Sequence, residues 1–233
     1  MAVDRQFIDT LRTTLIAAGD TDRAVQQRRY MKSALPFHGL TSAELTRTLR
    51  PLLATAAVCF ANRANHEATV RALYDQATHR EQRYAAIALA GHRRARDWFD
   101  RGALPLHRHL ISVGAWWDLV DDVASHLVCP VVVGDHGAAP IMRAWSVADD
   151  LWVRRAAILC QLGARERTDR TLLVDCVAAN LPGSPYGDDF FIRKAIGWAL
   201  RQYARVEPNW VREYVEQTDL APLSRREATK HLG

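Results

Sequence analysis

The chain has 233 residues, a formal net charge of +5 and hydrophobic residues at almost half of its positions. This is enough to bury a core, but no apolar run approaches the eighteen or more residues of a membrane-spanning helix, so we expect no membrane partner. The sequence starts without a basic segment followed by an apolar stretch. We therefore expect no export signal and a cytoplasmic protein.

Arginine carries almost all of the positive charge, because Lys32, Lys194 and Lys230 are the only lysines. Arginine makes planar two-point contacts with phosphate, so the composition is compatible with a polyanionic partner. The basic residues occur in clusters at 93–96, 154–155, 193–194, 201–205 and 225–230. A single basic cluster is typical of a solvated helix face. Several basic clusters at equivalent places in a repeat would instead form a basic stripe.

Helical periodicity dominates the pattern of apolar residues, and strand alternation is nearly absent. The spacing of Phe7, Leu11 and Leu15 predicts a first helix, and Thr41 or Ser42 is expected to cap another that Pro51 interrupts. The segment 130–137 is predicted to be a loop or a short extended piece. Further helices are predicted over 67–77, 80–92, 95–100, 116–128, 150–162, 168–180, 188–206, 209–218 and from 224 to the end.

Several of these helices share one pattern. The segment that starts at Arg83 resembles those that start at Arg154 and Arg193, which follow after 71 and then 39 residues, and Arg225 begins a further copy 32 residues later. A period of 32 to 39 residues with paired helices predicts an α-solenoid of HEAT-like repeats. We expect one all-α domain over residues 1–233, curved, with a basic concave face that can follow a duplex backbone.

Two aromatic faces and three carboxylates lie within the eight residues 115–122. On a helix, Trp117 and Asp121 are four residues apart and share one face, so a ring and a carboxylate could converge on one bound group, such as a cation. The residues alone leave a second interpretation open, in which Trp117 is buried and Asp121 is a solvated or capping residue.

Other candidate groups have structural interpretations. The four cysteines lack metal-ligand spacing and are expected in the core, so we predict no metal site. The pairs Asp149-Asp150 and Asp188-Asp189 each precede a predicted helix and are interpreted as helix-start residues. Trp98, Trp145, Trp152 and Trp210 are interpreted as packing residues.

Five stretches, taken in order, resemble the AlkD family of bacterial DNA alkylpurine glycosylases: RYMK at 29–32, WWDxVD at 116–121, WxxRAAIL at 152–159, FFIxKAIGW at 190–198 and LAPLSRREATKH at 220–231. The resemblance covers nearly the whole chain. The sequence departs from the family pattern at Gly114-Ala115, and its segments 130–140 and 181–187 are longer and richer in Pro and Gly.

The resemblance implies a monomeric, cofactor-free enzyme that hydrolyses the N-glycosidic bond of cationic N3- and N7-alkylated purines in double-stranded DNA, leaving the lesion largely stacked. Such an enzyme is expected to be nucleoid-associated. Trp117, Trp198 and Asp121 match the residues that border the lesion's deoxyribose. Arg155 matches an arginine that contacts the backbone, and Tyr30 a tyrosine that approaches the damaged nucleotide. With the basic clusters, the expected DNA-binding residues are Tyr30, Lys32, Arg154, Arg155, Lys194, Arg201, Arg225 and Arg226.

Two other functions stay open on the sequence. A catalytically silent HEAT-repeat protein would bind distorted or branched DNA without releasing a base. A HEAT scaffold for another protein would show little salt-dependent affinity for DNA, since such affinity depends on contacts with phosphates. No lysine stands out as a lyase residue, so the enzyme is expected to be monofunctional.

Overall fold

A computed structural model describes residues 2–232, and this part of the chain is all-helical, with no strand. Its α-helices pack in repeats, as predicted for an α-solenoid. The chain divides into two compact units, Met1–Trp98 and Phe99–Gly233. The prediction of a single domain over residues 1–233 stays a prediction.

The first unit contains five α-helices: α1 (Arg5–Ala17), α2 (Thr21–Met31), α3 (Ser42–Thr55), α4 (Arg63–Asp75) and α5 (Arg80–Ala90). Helix α1 packs on α3 and α4, and α5 packs on α3 and α4. Leu11, Leu15 and Leu73 are fully buried among them. The Glu81 carboxylate is also buried and accepts the backbone N–H groups of His38, Gly39 and Leu40, which ties the chain between α2 and α3 to α5.

The second unit contains nine α-helices within the described residues: α6 (Leu104–Gly114), α7 (Trp117–Asp122), α8 (Cys129–Gly134), α9 (Ala139–Ser146), α10 (Leu151–Leu159), α11 (Arg170–Ala178), α12 (Phe190–Tyr203), α13 (Pro208–Gln217) and α14 (Pro222–Thr229). Helix α10 packs on α7 and on α12, and α12 packs on α14. The helices α7, α10, α12 and α14 therefore form one row. Helix α9 packs on α10 and on α11, and α13 packs on α12 and α14. This is the paired arrangement of a helical-repeat protein.

The predicted helix starts are confirmed where a side chain caps the helix. Thr41 accepts the N–H of Glu44, whose carboxylate accepts the N–H of Thr41, and this reciprocal pair starts α3. Asp150 caps α10 and Asp189 caps α12, each by accepting N–H groups of the first turn. The interpretation of these two aspartates as helix-start residues is therefore confirmed.

Two predictions based on proline were wrong. Helix α3 continues through Pro51 to Thr55, because Leu49 and Leu53 are buried on either side and their packing holds the helix where one hydrogen bond is lost. The segment 130–137 is mostly helical rather than a loop or extended piece. Pro130 is the second residue of α8, which continues directly from the helical turns before it, and Val131 and Val132 are buried.

The predicted helix over 95–100 is a 3-10 helix at Arg93–Trp98. Helices α2, α6 and α9 were not predicted. Helix α2 buries only Met31 and so gives little apolar periodicity. Helices α6 and α9 have a proline as their second residue, Pro105 and Pro140, and proline usually indicates the end of a helix.

A π-helix over Val123–Val128 joins α7 to α8, so the chain is helical from Trp117 to Gly134. Pro130 cannot donate to the carbonyl four residues before it, and a wider turn ahead of it accommodates this loss. The Ser125 hydroxyl donates to the Asp121 carbonyl at 2.6 Å. The end of α7 is thereby fixed next to Asp121.

Candidate active site

Asp121 and Arg155 form a two-point ion pair between α7 and α10. Arg155 Nε lies 2.8 Å from Asp121 Oδ1, and Nη2 lies 2.8 Å from Oδ2. The Arg155 side chain is 5% exposed and that of Asp121 is 13% exposed. Each carboxylate oxygen keeps a lone pair beyond the one that Arg155 uses. Asp121 is therefore held in one orientation while a small part of it stays open to solvent.

Phe191 contacts Arg155 through its backbone carbonyl and its ring, and two further aromatic rings pack on Phe191. The Arg155 Nη1 donates to the backbone carbonyl of Phe191, and the Arg155 guanidinium lies 5.9 Å from the centre of the Phe191 ring. Phe191 packs on Trp116 and Trp152, with ring centres 5.6 and 5.0 Å away, and those two rings lie 5.9 Å apart. The interpretation of Trp152 as a packing residue is confirmed. This cluster fixes the guanidinium before any ligand is bound.

The environment of Asp121 raises the pKa of its carboxyl above the ordinary value. Burial is the main cause, and the negative charges of Asp118 and Asp122 act in the same direction. Hydrogen bonds and charge from Arg155 lower the pKa but do not cancel the effect of burial. Arg155 thus favours the ionised form of Asp121, against the effect of burial and of the two neighbouring carboxylates.

Trp117 and Trp198 lie on the same row of helices as this ion pair. Trp117 is the first residue of α7, one turn before Asp121, and Trp198 is in the middle of α12. Both side chains are partly exposed. The prediction that Trp117 and Asp121 share one helix is confirmed, and neither is fully buried, so both can reach a ligand.

Lys194 and Arg201 lie on α12, on either side of Trp198 in sequence, and both pair with Glu227 of α14. Lys194 Nζ is 3.0 Å from Glu227 Oε1, and Arg201 Nη1 is 2.5 Å from Oε2. The Lys194 side chain is 38% exposed. Glu227 was not singled out in the sequence, although it lies within the stretch at 220–231, because no spacing rule joins it to residues on another helix.

Two other predicted DNA-binding arginines hold loops and helix ends. Arg154 is buried and donates to the carbonyls of Val147 and Ala148 and to the Asn180 side chain. Arg225 donates to the carbonyls of Val215 and Thr218 at the end of α13. Both guanidinium groups donate their hydrogen bonds to oxygens within the protein, so we do not include Arg154 and Arg225 in the proposed DNA surface.

The remaining predicted residues are exposed. Arg226 lies on the surface of α14. Tyr30 and Lys32 belong to the first unit, where Tyr30 is 78% exposed at the end of α2 and Lys32 follows it in a left-handed backbone conformation with φ 50°. Their prediction as DNA contacts stays a prediction.

The four cysteines are buried and free, as expected for core residues. Burial raises the pKa of the Cys59 and Cys176 thiols to about 12 and that of Cys160 well above its ordinary value. These thiols stay protonated near neutral pH, so they are poor nucleophiles. Within residues 2–232 no group of three or more His, Cys, Asp or Glu side chains is placed to hold a metal ion, and no helix is long and apolar enough to cross a bilayer.

A cavity of about 430 Å³ lies at the carboxyl ends of α10 and α12. Ile158, Gln161, Gln202 and Tyr203 are among its lining residues. The lining does not include Asp121, Trp117 or Trp198. The candidate active site is therefore a partly exposed set of side chains along a row of helices, separate from this cavity.

Comparison with known proteins identifies the chain. Residues 11–232 match the family model described as "DNA alkylation repair enzyme". The chain belongs to this family. A solved structure described as "Predicted DNA alkylation repair enzyme from Enterococcus faecalis" is similar to it, with a TM-score of 0.80 and 29% sequence identity over 92% of this chain and 97% of that one. No curated protein sequence matches the chain.

Membership in the DNA alkylation repair enzyme family supports an enzymatic role in the repair of alkylated DNA, with DNA as the partner. The matched residues include α7, α10, α12 and α14, so the whole row that carries the Asp121–Arg155 pair is part of the family domain. The resemblance found in the sequence is confirmed at the level of this family.

Proposed function

We propose that the protein is a monofunctional DNA glycosylase that excises cationic N3- and N7-alkylated purines, such as 3-methyladenine and 7-methylguanine, from duplex DNA. The observation that carries this proposal is the Asp121 carboxylate, which Arg155 holds at a partly exposed position one turn after Trp117. Family membership supports alkylated DNA as the substrate, and the site has a single oriented carboxylate with aromatic residues along the same row.

One carboxylate suffices for this reaction. An N3- or N7-alkylated purine already carries positive charge, so when the bond from C1′ to the base nitrogen breaks, the electron pair leaves with the base, which departs neutral. Positive charge moves to the sugar, and the Asp121 carboxylate stabilises it. Water then adds to C1′ and loses its proton, for which the free lone pairs of Asp121 are an acceptor.

Trp117 and Trp198 are proposed to stabilise the same positive charge. The face of an aromatic ring carries negative quadrupole density, and a cation over it gains about 0.5 to 2 kcal/mol. We propose that Trp117 and Trp198 contribute such contacts to the lesion and its sugar. The loss of Asp121 is expected to cost more, about 3 to 4 kcal/mol in the reaction barrier, as for single electrostatic groups in other enzymes.

We propose a DNA surface along the row α7, α10, α12 and α14, with Lys194, Arg201 and Arg226 as phosphate contacts. In this arrangement Arg155, whose side chain is 5% exposed, is mainly a positioning residue for Asp121. Tyr30 and Lys32 are proposed as contacts from the first unit. Because Asp121, Trp117 and Trp198 are partly exposed, we propose that the lesion need not enter a deep pocket, and that bulky adducts are tolerated.

The test is the release of free base from a duplex with one 7-methylguanine, followed by mass spectrometry. We expect release of 7-methylguanine and an abasic strand that breaks only after treatment with alkali. Strand cleavage by the protein alone would contradict the monofunctional assignment. Tight binding to the duplex without any base release would identify a catalytically silent DNA-binding protein instead.

A further inference from the structure

Glu227 occupies an unusual place for an acidic residue on a surface proposed to bind DNA. Its carboxylate bridges Lys194 and Arg201, two cations of α12. Its side chain is 15% exposed, less than either partner at 38% and 20%. Glu227 therefore lies against α12 with its charge directed at the two cations.

The contact between α12 and α14 places Glu227 there. Gly197 faces it, and a Cβ added to Gly197 would lie 2.5 Å from the Glu227 Cβ and 2.8 Å from the Ser224 carbonyl. The absence of a side chain at position 197 lets α14 approach α12 closely, and the Ser224 hydroxyl donates to the Arg193 carbonyl at 2.9 Å. Two independent contacts thus hold Glu227 in this position.

The cations that Glu227 neutralises flank a residue of the proposed active site. Lys194, Trp198 and Arg201 are four and three residues apart, so they lie on one face of α12 over two helical turns. A phosphate next to a lesion at Trp198 would meet the same two cations. Glu227 occupies with its two oxygens the hydrogen-bonding positions that phosphate oxygens would take.

The charge balance at this position is set by Glu227. Lys194 and Arg201 together carry two positive charges, and an ionised Glu227 reduces the net charge of the three side chains to +1. Hydrogen bonding from Lys194, followed by Arg201, lowers the pKa of Glu227, so the carboxylate is ionised at neutral pH. Non-specific affinity for DNA rises with the number of phosphates that a protein neutralises, and this contribution does not depend on damage.

We propose that Glu227 is an internal counterion that limits the affinity of this surface for undamaged duplex, so that a larger share of binding depends on the contacts of Trp117, Trp198 and Asp121 with the lesion. This inference rests on the proposed function in that it takes duplex DNA as the ligand. Glu227 acts through Lys194 and Arg201 and is a specificity-determining residue rather than a catalytic one.

The experiment compares Glu227→Gln and Glu227→Asp in the full chain, with binding to an undamaged duplex measured over a series of salt concentrations. Glutamine keeps the packing and removes the charge, whereas aspartate keeps the charge and changes the packing. For Glu227→Gln we expect affinity about tenfold higher at low salt and a salt dependence steeper by about one released ion. For Glu227→Asp we expect values near those of the wild type.

The control is Glu213→Gln, which removes the same charge at an exposed position of α13. It should leave the salt dependence close to that of the wild type. Affinity for Glu227→Gln that is equal to or below that of Glu213→Gln would overturn the inference, as would equal effects of the Gln and Asp variants. Base release is scored separately: a wild type that releases no base contradicts the proposed function but leaves the counterion test intact.

Discussion

At the scale of single residues, the proposed reaction depends on the Asp121 carboxylate, whose ionised form is favoured by Arg155. Burial raises the pKa of Asp121, and Arg155 opposes that effect through two hydrogen bonds and its charge. The sequence predicted Asp121 and Trp117 from their spacing on one helix. It did not predict that Arg155 binds Asp121, because the two lie 34 residues apart and helical periodicity carries no information on contacts between helices.

Replacement of Arg155 by glutamine should affect stability and pH dependence together. The ion pair is almost completely buried, so removal of one partner should lower the free energy of unfolding by about 3 to 5 kcal/mol. Arg155 lowers the pKa of Asp121, so in the variant that pKa rises further, and the carboxylate is protonated at higher pH. The acid limb of the single-turnover rate of base release should therefore move to higher pH.

Urea denaturation and single-turnover rates measured across pH check both effects. Arg47→Gln is the matched control, since Arg47 is exposed on α3, has no role in the proposed site and should change neither quantity. An acid limb that stays in place for Arg155→Gln would show that Arg155 does not control the ionisation of Asp121.

At the scale of helices, periodicity and capping residues predicted most elements, and the failures have local causes. Thr41, Asp150 and Asp189 cap the helices that follow them, because their side chains accept N–H groups that a helix cannot satisfy itself. The predictions failed at Pro51 and over 130–137, because buried residues on both sides of Pro51 hold α3 together and because a wider helical turn ahead of Pro130 accommodates its missing N–H.

Helix α4 supplies a prediction about pH and stability. His66 is buried between Phe60 and Trp98, with ring centres 5.4 and 5.1 Å away, and burial lowers its pKa from 6.5 to about 4. Above pH 6.5, His66 is neutral in both the folded and the unfolded protein, so its burial does not reduce the free energy of unfolding. As the pH falls from 6.5 to 4, only the unfolded state gains the proton, so stability is lost, by about 3 kcal/mol for this one group.

His66→Phe should reduce this loss, since phenylalanine keeps a ring in the cluster and cannot bind a proton. The measurement is the urea midpoint at pH 7 and at pH 4.5, with His136→Phe at an exposed position as the control. Burial also lowers the pKa of His38 and His92, so part of the acid sensitivity should persist. A loss in His66→Phe equal to that of the wild type would contradict the assignment to His66.

At the scale of the whole molecule, the repeat in the sequence predicted the helical-repeat fold, and the order of the motifs predicted the family. The segments that start at Arg154 and Arg193 lie on α10 and α12, which are neighbours in one row. The repeat did not predict the role of each arginine. Arg154 is buried against carbonyls, while the next residue, Arg155, binds Asp121, because adjacent residues of a helix point in directions about 100° apart.

The central claim is that this family member breaks an N-glycosidic bond with the Asp121 carboxylate. The most direct measurement is the single-turnover release of 7-methylguanine from a one-lesion duplex, with wild type and Asp121→Asn compared at saturating protein and matched DNA occupancy. We expect release by the wild type and a rate lower by about 100- to 1,000-fold for Asp121→Asn with unchanged binding. Equal rates for the two proteins, or no release by a wild type that binds the duplex tightly, would contradict the central claim.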